Sequence, residues 1–261
     1  SCKLSFNAPL CHWISRKLRL KWSPEQIAGW LKREHPDEEQ NRVSHETIYR
    51  SLYVQSRGVL KKELQACLRS PRAIRRSRHA TQKGLKLRKI KDAISISARP
   101  PEVEDRAVPG HWEGDLIVGS NNSYIATLVE RRSRFVLLAK VEDRSTATVV
   151  AALTRKMRRL PRELRLSLTW DPGSEMAQHS QFTLATNIQV YFCDPQQPWQ
   201  RGSNENTNGL LRQYFPKGMD LSDIHQNRLN AVARQLNERP RKTLGYYSPA
   251  EKFTECVASI N

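Results

Sequence analysis

Three acidic residues stand where a carboxylate needs a reason to be. Asp115 interrupts the apolar run Gly114-Asp115-Leu116-Ile117-Val118, and an ionised side chain there is costly unless it is paired or holds a metal. Asp171 ends the stretch Leu166-Ser167-Leu168-Thr169-Trp170, and in sheets with helical crossovers ligands gather at the carboxyl ends of strands. Glu205 opens a helix after Pro198-Trp199-Gln200-Arg201-Gly202-Ser203-Asn204, a place where an acid is also ordinary capping chemistry. Singly, each has a structural explanation. Together they suit phosphoryl transfer. Two carboxylates about 4 Å apart repel by ~4 kcal/mol at an effective dielectric near 20, so three that converge need cations. Mg²⁺ takes few carboxylates, waters and phosphate oxygens, and two such ions can flank a phosphodiester, one at the attacking and one at the leaving oxygen. Glu113 rivals Asp115, because residues two apart on a strand share a face. Asn208 and Arg212 follow Glu205 on its helical face, suited either to a DNA backbone or to solvent. Arg201, in the loop beside the acid, is a phosphate candidate, and Trp199 reads as a packing residue.

These acids must be held by a sheet. Residues 114–118, 124–130 and 134–141 read as three strands, separated by the turns Ser120-Asn121-Asn122-Ser123 and Arg131-Arg132-Ser133. Residues 145–160 form an amphipathic helix with Val149, Val150, Leu153, Met157 and Leu160 on one face, ended by Pro161. Then come a strand at 166–170, a helix near 174–185, a strand at 188–192, and helices near 204–214 and 222–238. A meander followed by helical crossovers predicts an α/β domain, a mixed five-stranded sheet flanked by helices. Its element order resembles the ribonuclease-H-like fold.

Ahead of it lies different material. Leu10, Ile14 and Leu18 make a helical stripe; Ser23-Pro24-Glu25-Gln26 is a helix start; Ile27, Trp30 and Leu31 face inward; and Ser44 caps a third helix. This predicts an all-α helix-turn-helix domain at residues 1–55. Ser44, His45, Glu46, Thr47 and Arg50, near the start of the third helix, are candidates to read base edges. Residues 56–110 follow as a basic arm and linker, with Arg72, Arg75, Arg76 and Arg78 expected on DNA phosphates, and residues 111–261 as the catalytic domain with C-terminal helices.

The charge distribution agrees with this division. Of the net +18, residues 1–100 carry +15 (23 Lys and Arg against 8 acids) and residues 101–261 carry +3 (21 against 18). A basic half joined to a nearly neutral one points to a polyanion-binding module joined to something else. The five cysteines form no C-x-x-C pair, which argues against a disulfide framework or zinc site. No apolar run approaches the ~18 residues of a membrane span, so a soluble intracellular protein without membrane contact is expected.

Three motifs carry a family resemblance: Gly110-His111-Trp112-Glu113-Gly114-Asp115; Leu168-Thr169-Trp170-Asp171 with Gly173; and Pro198-Trp199-Gln200-Arg201-Gly202-Ser203-Asn204-Glu205-Asn206-Thr207-Asn208-Gly209, with 33 residues between Asp171 and Glu205. With Trp22 to Ala28, Ser44 to Tyr49, Arg239 to Tyr246 and Ser248 to Glu251, they resemble the insertion sequence 30 family of bacterial transposases over nearly the whole chain. The resemblance implies that Asp115, Asp171 and Glu205 are a catalytic, metal-binding triad, with Mg²⁺ as cofactor and Mn²⁺ as its substitute. It further implies double-stranded DNA as partner, both terminal inverted repeats and target; a homodimer or higher oligomer; and a cytoplasmic, nucleoid-associated place. Family members usually carry a further helix-turn-helix ahead of this segment, and the chain opens on Ser1, so a partial chain is expected. Two other classes fit the same residues: a catalytically inactive DNA-binding regulator and a plain nuclease. Strand joining separates the transposase from both.

Overall fold

The computed structural model describes residues 4, 6–53, 60, 62–69, 90, 92–99, 101, 106–194 and 198–260. The expected arm cations Arg72, Arg75, Arg76 and Arg78 lie outside these residues. The chain divides into two units, residues 1–80 with 238–248, and residues 81–237 with 249–261.

The first unit is helical. In α1 (Ala8–Arg19) the Asn7 side chain caps the Leu10 N–H, and Leu10, Ile14 and Leu18 are fully buried. A reciprocal box opens α2 (Pro24–Glu34): Ser23 Oγ accepts from the Gln26 N–H, and Gln26 Oε1 accepts from the Ser23 N–H, a cap contributing about 1 kcal/mol. Ile27 and Leu31 face inward, while Trp30 is only half-buried, edge-on to Trp22. Ser44 caps α3 (His45–Tyr53) by accepting from the Thr47 N–H at 3.2 Å. Leu60, Leu64 and Leu68 join the same core, so the helical unit continues past residue 55.

The segment Glu238–Ser248, which the sequence reading places with the catalytic domain, packs in this first unit. Lys242 pairs with Glu25 at 2.6 Å, and Arg33 donates to the Tyr246 carbonyl at 3.0 Å while lying over the Tyr247 ring. The Tyr246 ring lies so close to α2 that a Cβ on Gly29 would collide with it.

The second unit is the expected mixed sheet. Its strands are β1 (His111–Val118), β2 (Tyr124–Glu130), β3 (Val136–Val141), β4 (Ser167–Trp170) and β5 (Gln189–Phe192), in the order β3-β2-β1-β4-β5. β1–β2 and β2–β3 are antiparallel; β1–β4 and β4–β5 are parallel. Trp112, Leu128, Val141, Leu168 and Trp170 bury one face under α4 (Thr146–Met157) and α5 (His179–Thr186). Ile117, Ile125, Val129, Val136 and Leu138 bury the other under α6 (Gly202–Leu211) and α7 (Gln226–Asn237). A last helix, α8 (Pro249–Ala258), stacks Phe253 on Phe135. Strand β1 begins three residues earlier than expected because its polar residues His111 and Glu113 are buried too. Strand β3 begins two residues later because Arg134 has φ 63°, a left-handed conformation that cannot continue a strand. Among the described residues no helix is long and apolar enough to cross a membrane.

Candidate active site

The pairing of β1 with β4 decides what Asp115 meets. Glu113 pairs with Thr169 in parallel register. Continuing two residues along both strands brings Asp115 beside Asp171, just past the end of β4. Alternation on β1 turns Glu113 and Asp115 to the face covered by α6, since Ile117 packs there while Trp112 packs on the other face. Gly114 permits the close approach of the strands' side chains: a Cβ there would collide with the Trp170 ring.

A buried cation joins the two aspartates. Arg201, only 6% exposed, directs Nη1 to Asp115 Oδ1 at 3.5 Å and Nη2 to Asp171 Oδ2, and donates from Nη1 to the Gly114 carbonyl at 3.0 Å. Burial pushes the Asp115 carboxyl above its ordinary range; Arg201 and the Leu116 N–H oppose the rise, and the Asp171 charge adds to it. Burial also works against the Arg201 cation, but the two aspartates outweigh it and hold the guanidinium above its ordinary value. Arg201 is thus engaged with the acids themselves. It reaches them from a turn at Pro198–Arg201 that is closed by a reciprocal pair: Gln200 Oε1 accepts from the Asp194 N–H, and Gln200 Nε2 donates to the Asp194 carboxylate, both at 2.9 Å.

Helix α6 is pinned to the sheet beside this pair. Glu113 is fully buried, paired with Arg131 at 3.1 Å, and its other oxygen accepts the Asn204 N–H at 3.0 Å. Asn204 Nδ2 donates to the Glu113 carbonyl, and Asn204 Oδ1 accepts from Thr127 Oγ1, both at 3.0 Å. Four residues on, Asn208 Nδ2 donates to Asp115 Oδ2 at 2.9 Å. Glu205 follows Asn204 in the first turn and is exposed. Glu113 therefore has a structural occupation, as a buried anchor and helix cap. Sequence reading missed the Arg201 bridge and the Glu113–Asn204–Thr127 anchor. The available signal was polar residues at positions whose neighbours are buried.

The structure brings Asp115, Asp171 and Asn208 together around Arg201. Among the described residues no group of three His, Cys, Asp or Glu side chains converges to hold an ion, so Glu205 stands apart from the two aspartates. The donor set still suits a hard divalent cation: two carboxylates already share one positive centre, and their side chains remain 31% and 49% exposed. Arg212 caps α6, donating to the Phe215 and Val118 carbonyls at 3.4 and 3.2 Å. Two nearby groups are unsuited to chemistry. Burial pushes the Cys193 thiol up to about 12. Burial, with Arg131 and Arg99 nearby, lowers the His111 imidazole to about 4, and its Nδ1 bonds Ser167 Oγ at 2.8 Å.

In the first unit, Ile48 and Leu52 of α3 are buried, while Ser44, His45, Glu46 and Arg50 are exposed. Thr47 is half-buried, its hydroxyl 3.0 Å from that of Ser44. Tyr49 and Tyr53, unremarked as candidates in the sequence, are also exposed and stack on each other.

Residues 105–198 match the integrase core domain family. Fold and match define the class: a ribonuclease-H-like polynucleotidyl transferase with an integrase core. The chain is 50% identical over 260 residues to the transposase for insertion sequence element IS1086 of Cupriavidus metallidurans, covering 98% of the chain and 76% of that protein. It is 48% identical over 258 residues to transposase InsI for insertion sequence element IS30A of Escherichia coli, covering 98% and 67%. Against the transposase for insertion sequence element IS4351 of Bacteroides fragilis it is 35% identical over 247 residues, covering 94% and 72%. The chain belongs to the insertion sequence 30 family of transposases.

Proposed function

We propose that this transposase binds the terminal inverted repeats of an insertion sequence and cleaves and joins DNA strands at a metal-dependent site of Asp115, Asp171 and Glu205. The single observation that carries the reading is the β1–β4 register, which sets two aspartates side by side at strand ends next to α6. Mg²⁺, or Mn²⁺ in its place, would be held by Asp115 and Asp171 with Glu205 as the third ligand, and when bound would supply charge neutralisation and activation of the attacking oxygen. The protein's own part is placement. Arg201 keeps the two aspartates in one geometry, Asn208 orients Asp115, and the Glu113–Asn204 anchor fixes the turn that carries Glu205. In the first step water attacks a phosphodiester, a P–O bond breaks and a 3′-hydroxyl is freed. In the second, that hydroxyl attacks another phosphodiester and displaces its leaving oxygen, joining the strands.

The exposed residues Ser44, His45, Glu46 and Arg50 on α3, with Thr47 beside them, suit a recognition helix in the major groove. The arm residues Arg72, Arg75, Arg76 and Arg78 suit phosphate contacts. Two ends must be processed together, which favours a dimer or higher assembly on DNA.

The test is nicking and joining on duplexes carrying the element's own ends in Mg²⁺. Asp115→Asn, Asp171→Asn and Glu205→Gln should each lower cleavage by about 10²–10³-fold or more, the scale on which catalytic charge stabilisation acts, while DNA affinity stays within about a few-fold. Near-normal cleavage by any one variant removes that residue from the triad. Cleavage without joining would make the protein a nuclease, and neither activity would make it a DNA-binding regulator.

A further inference from the structure

A cleft opens at the end of the sheet away from the carboxylates. It has a volume of about 830 Å³, and its walls include Arg158, Arg162, Glu163, Arg165, Leu166 and Asn187. It lies where α4 and α5 end and β4 and β5 begin: Leu166 immediately precedes β4, whereas Asp171 immediately follows it. At ~3.3 Å per residue the strand separates the two places by roughly 13 Å or more.

Three arginines line the cleft against one acid, Glu163, and the segment that carries them is strongly basic. Residues 155–165 hold six cations (Arg155, Lys156, Arg158, Arg159, Arg162 and Arg165) and one acid, Glu163, a net of +5, whereas residues 101–261 as a whole net +3. Attraction to a helix C-terminus accounts for Arg155 and Lys156 in the last turn of α4. It does not account for Arg162 and Arg165, which lie beyond the helix. Arg158 is committed to structure, donating through Nε and Nη2 to the Ala185 carbonyl at 3.0 and 2.9 Å and so tying the end of α4 to that of α5. Among the described residues neither Arg162 nor Arg165 has an ion-pair partner, and Arg165 Nε is buried without a hydrogen bond.

We propose that this cleft binds the phosphate backbone of duplex DNA, as a contact separate from the carboxylate site. Guanidinium forks match phosphate oxygens in geometry and charge. The rival occupant is an acidic protein surface, and a second copy of this chain is a poor source of one. The chain nets +18, and Glu113, Glu130 and Glu175 are buried and already bonded within the fold. The proposal rests on the reading that the protein acts on DNA, but the measurement that tests it is different from cleavage.

The experiment is equilibrium binding of the full chain and its Arg162→Ala/Arg165→Ala variant to a random-sequence duplex over a series of salt concentrations. Each phosphate contact contributes about 0.9 to the slope of log affinity against log salt, so the variant's slope should be shallower by up to about 1.8, with Tm unchanged. If the alanine pair lowers Tm, Arg162→Gln/Arg165→Gln removes the charge while keeping hydrogen-bonding capacity and should show the same loss of slope. An unchanged slope in a folded variant overturns the proposal. So does an unchanged slope with weakened self-association, which would assign the cleft to a second copy. Loss of cleavage by Asp115→Asn with the full salt slope retained leaves the two readings separately decided.

Discussion

Between Asp115 and Asp171 the protein sets a guanidinium that is 6% exposed, against aspartates 31% and 49% exposed. Removing one partner of a fully buried ion pair costs about 3–5 kcal/mol, while a surface pair contributes about 0–1. With the aspartates partly open to water, Arg201→Ala should lie between these limits, at about 1–3 kcal/mol. The variant leaves two acids facing each other without a counter-charge, so a divalent cation gains what the arginine gave up. Thermal unfolding with and without Mg²⁺ measures this: Mg²⁺ should raise the Tm of Arg201→Ala more than that of the parent. An equal Mg²⁺ increment in both proteins would mean that Arg201 and the ion do not share the aspartates.

At the scale of elements, the informative joint is the one between β1 and α6. Asn204 uses its side chain as donor to the Glu113 carbonyl and as acceptor from Thr127, while its own N–H is capped by the Glu113 carboxylate. Asn204→Ala leaves the buried Glu113 carbonyl without that donor, at about 1–3 kcal/mol. Asn204→Asp is the sharper probe. A carboxylate cannot donate to that carbonyl and would set a second, negatively charged oxygen against it. Chemical denaturation should therefore rank the parent above Asn204→Ala and Asn204→Asp lowest, and cleavage should fall in the same order with DNA affinity held. An aspartate variant as stable as the alanine variant would contradict the donor assignment. The Tyr246–Gly29 contact is a joint of another kind, for it explains why a family motif far along the chain belongs with the first helices.

For the molecule as a whole, His111 couples stability to pH. Its imidazole is lowered to about 4 from an ordinary 6.5 by burial and by Arg131 and Arg99. The folded state thus prefers the neutral ring. Above 6.5 both folded and unfolded states are neutral and the stability is fully present. Between 6.5 and 4 the unfolded chain binds the extra proton, so stability falls as pH falls through this window. Urea unfolding at pH 7 and pH 4.5 should show the parent losing stability on acidification. His111→Gln keeps a polar group toward Ser167 without a titrating ring and should lose less. Equal losses in the two proteins would place the acid sensitivity elsewhere.

What the sequence determined by itself was whatever depends on local pattern. The stripe Leu10–Ile14–Leu18, the Ser23–Gln26 box and the short apolar runs of β2 and β3 follow from local composition, periodicity and capping, which neighbours along the chain decide. Asp115 and Asp171 stood out because a charge in an apolar run or at a strand end is costly without a partner, and Glu205 because its motif and spacing resemble the family's. The tertiary structure alone decided what those charges meet. That Asp115 lies beside Asp171 follows from the register of two strands about fifty residues apart in the chain. That Glu113 is an anchor follows from Arg131 and Asn204 arriving from other elements. Likewise the Arg201 guanidinium turns inward because two carboxylates offer it more than solvent does. Non-local pairings of this kind leave no periodic trace in the sequence, since long-range contacts are set by packing and not by neighbouring residues.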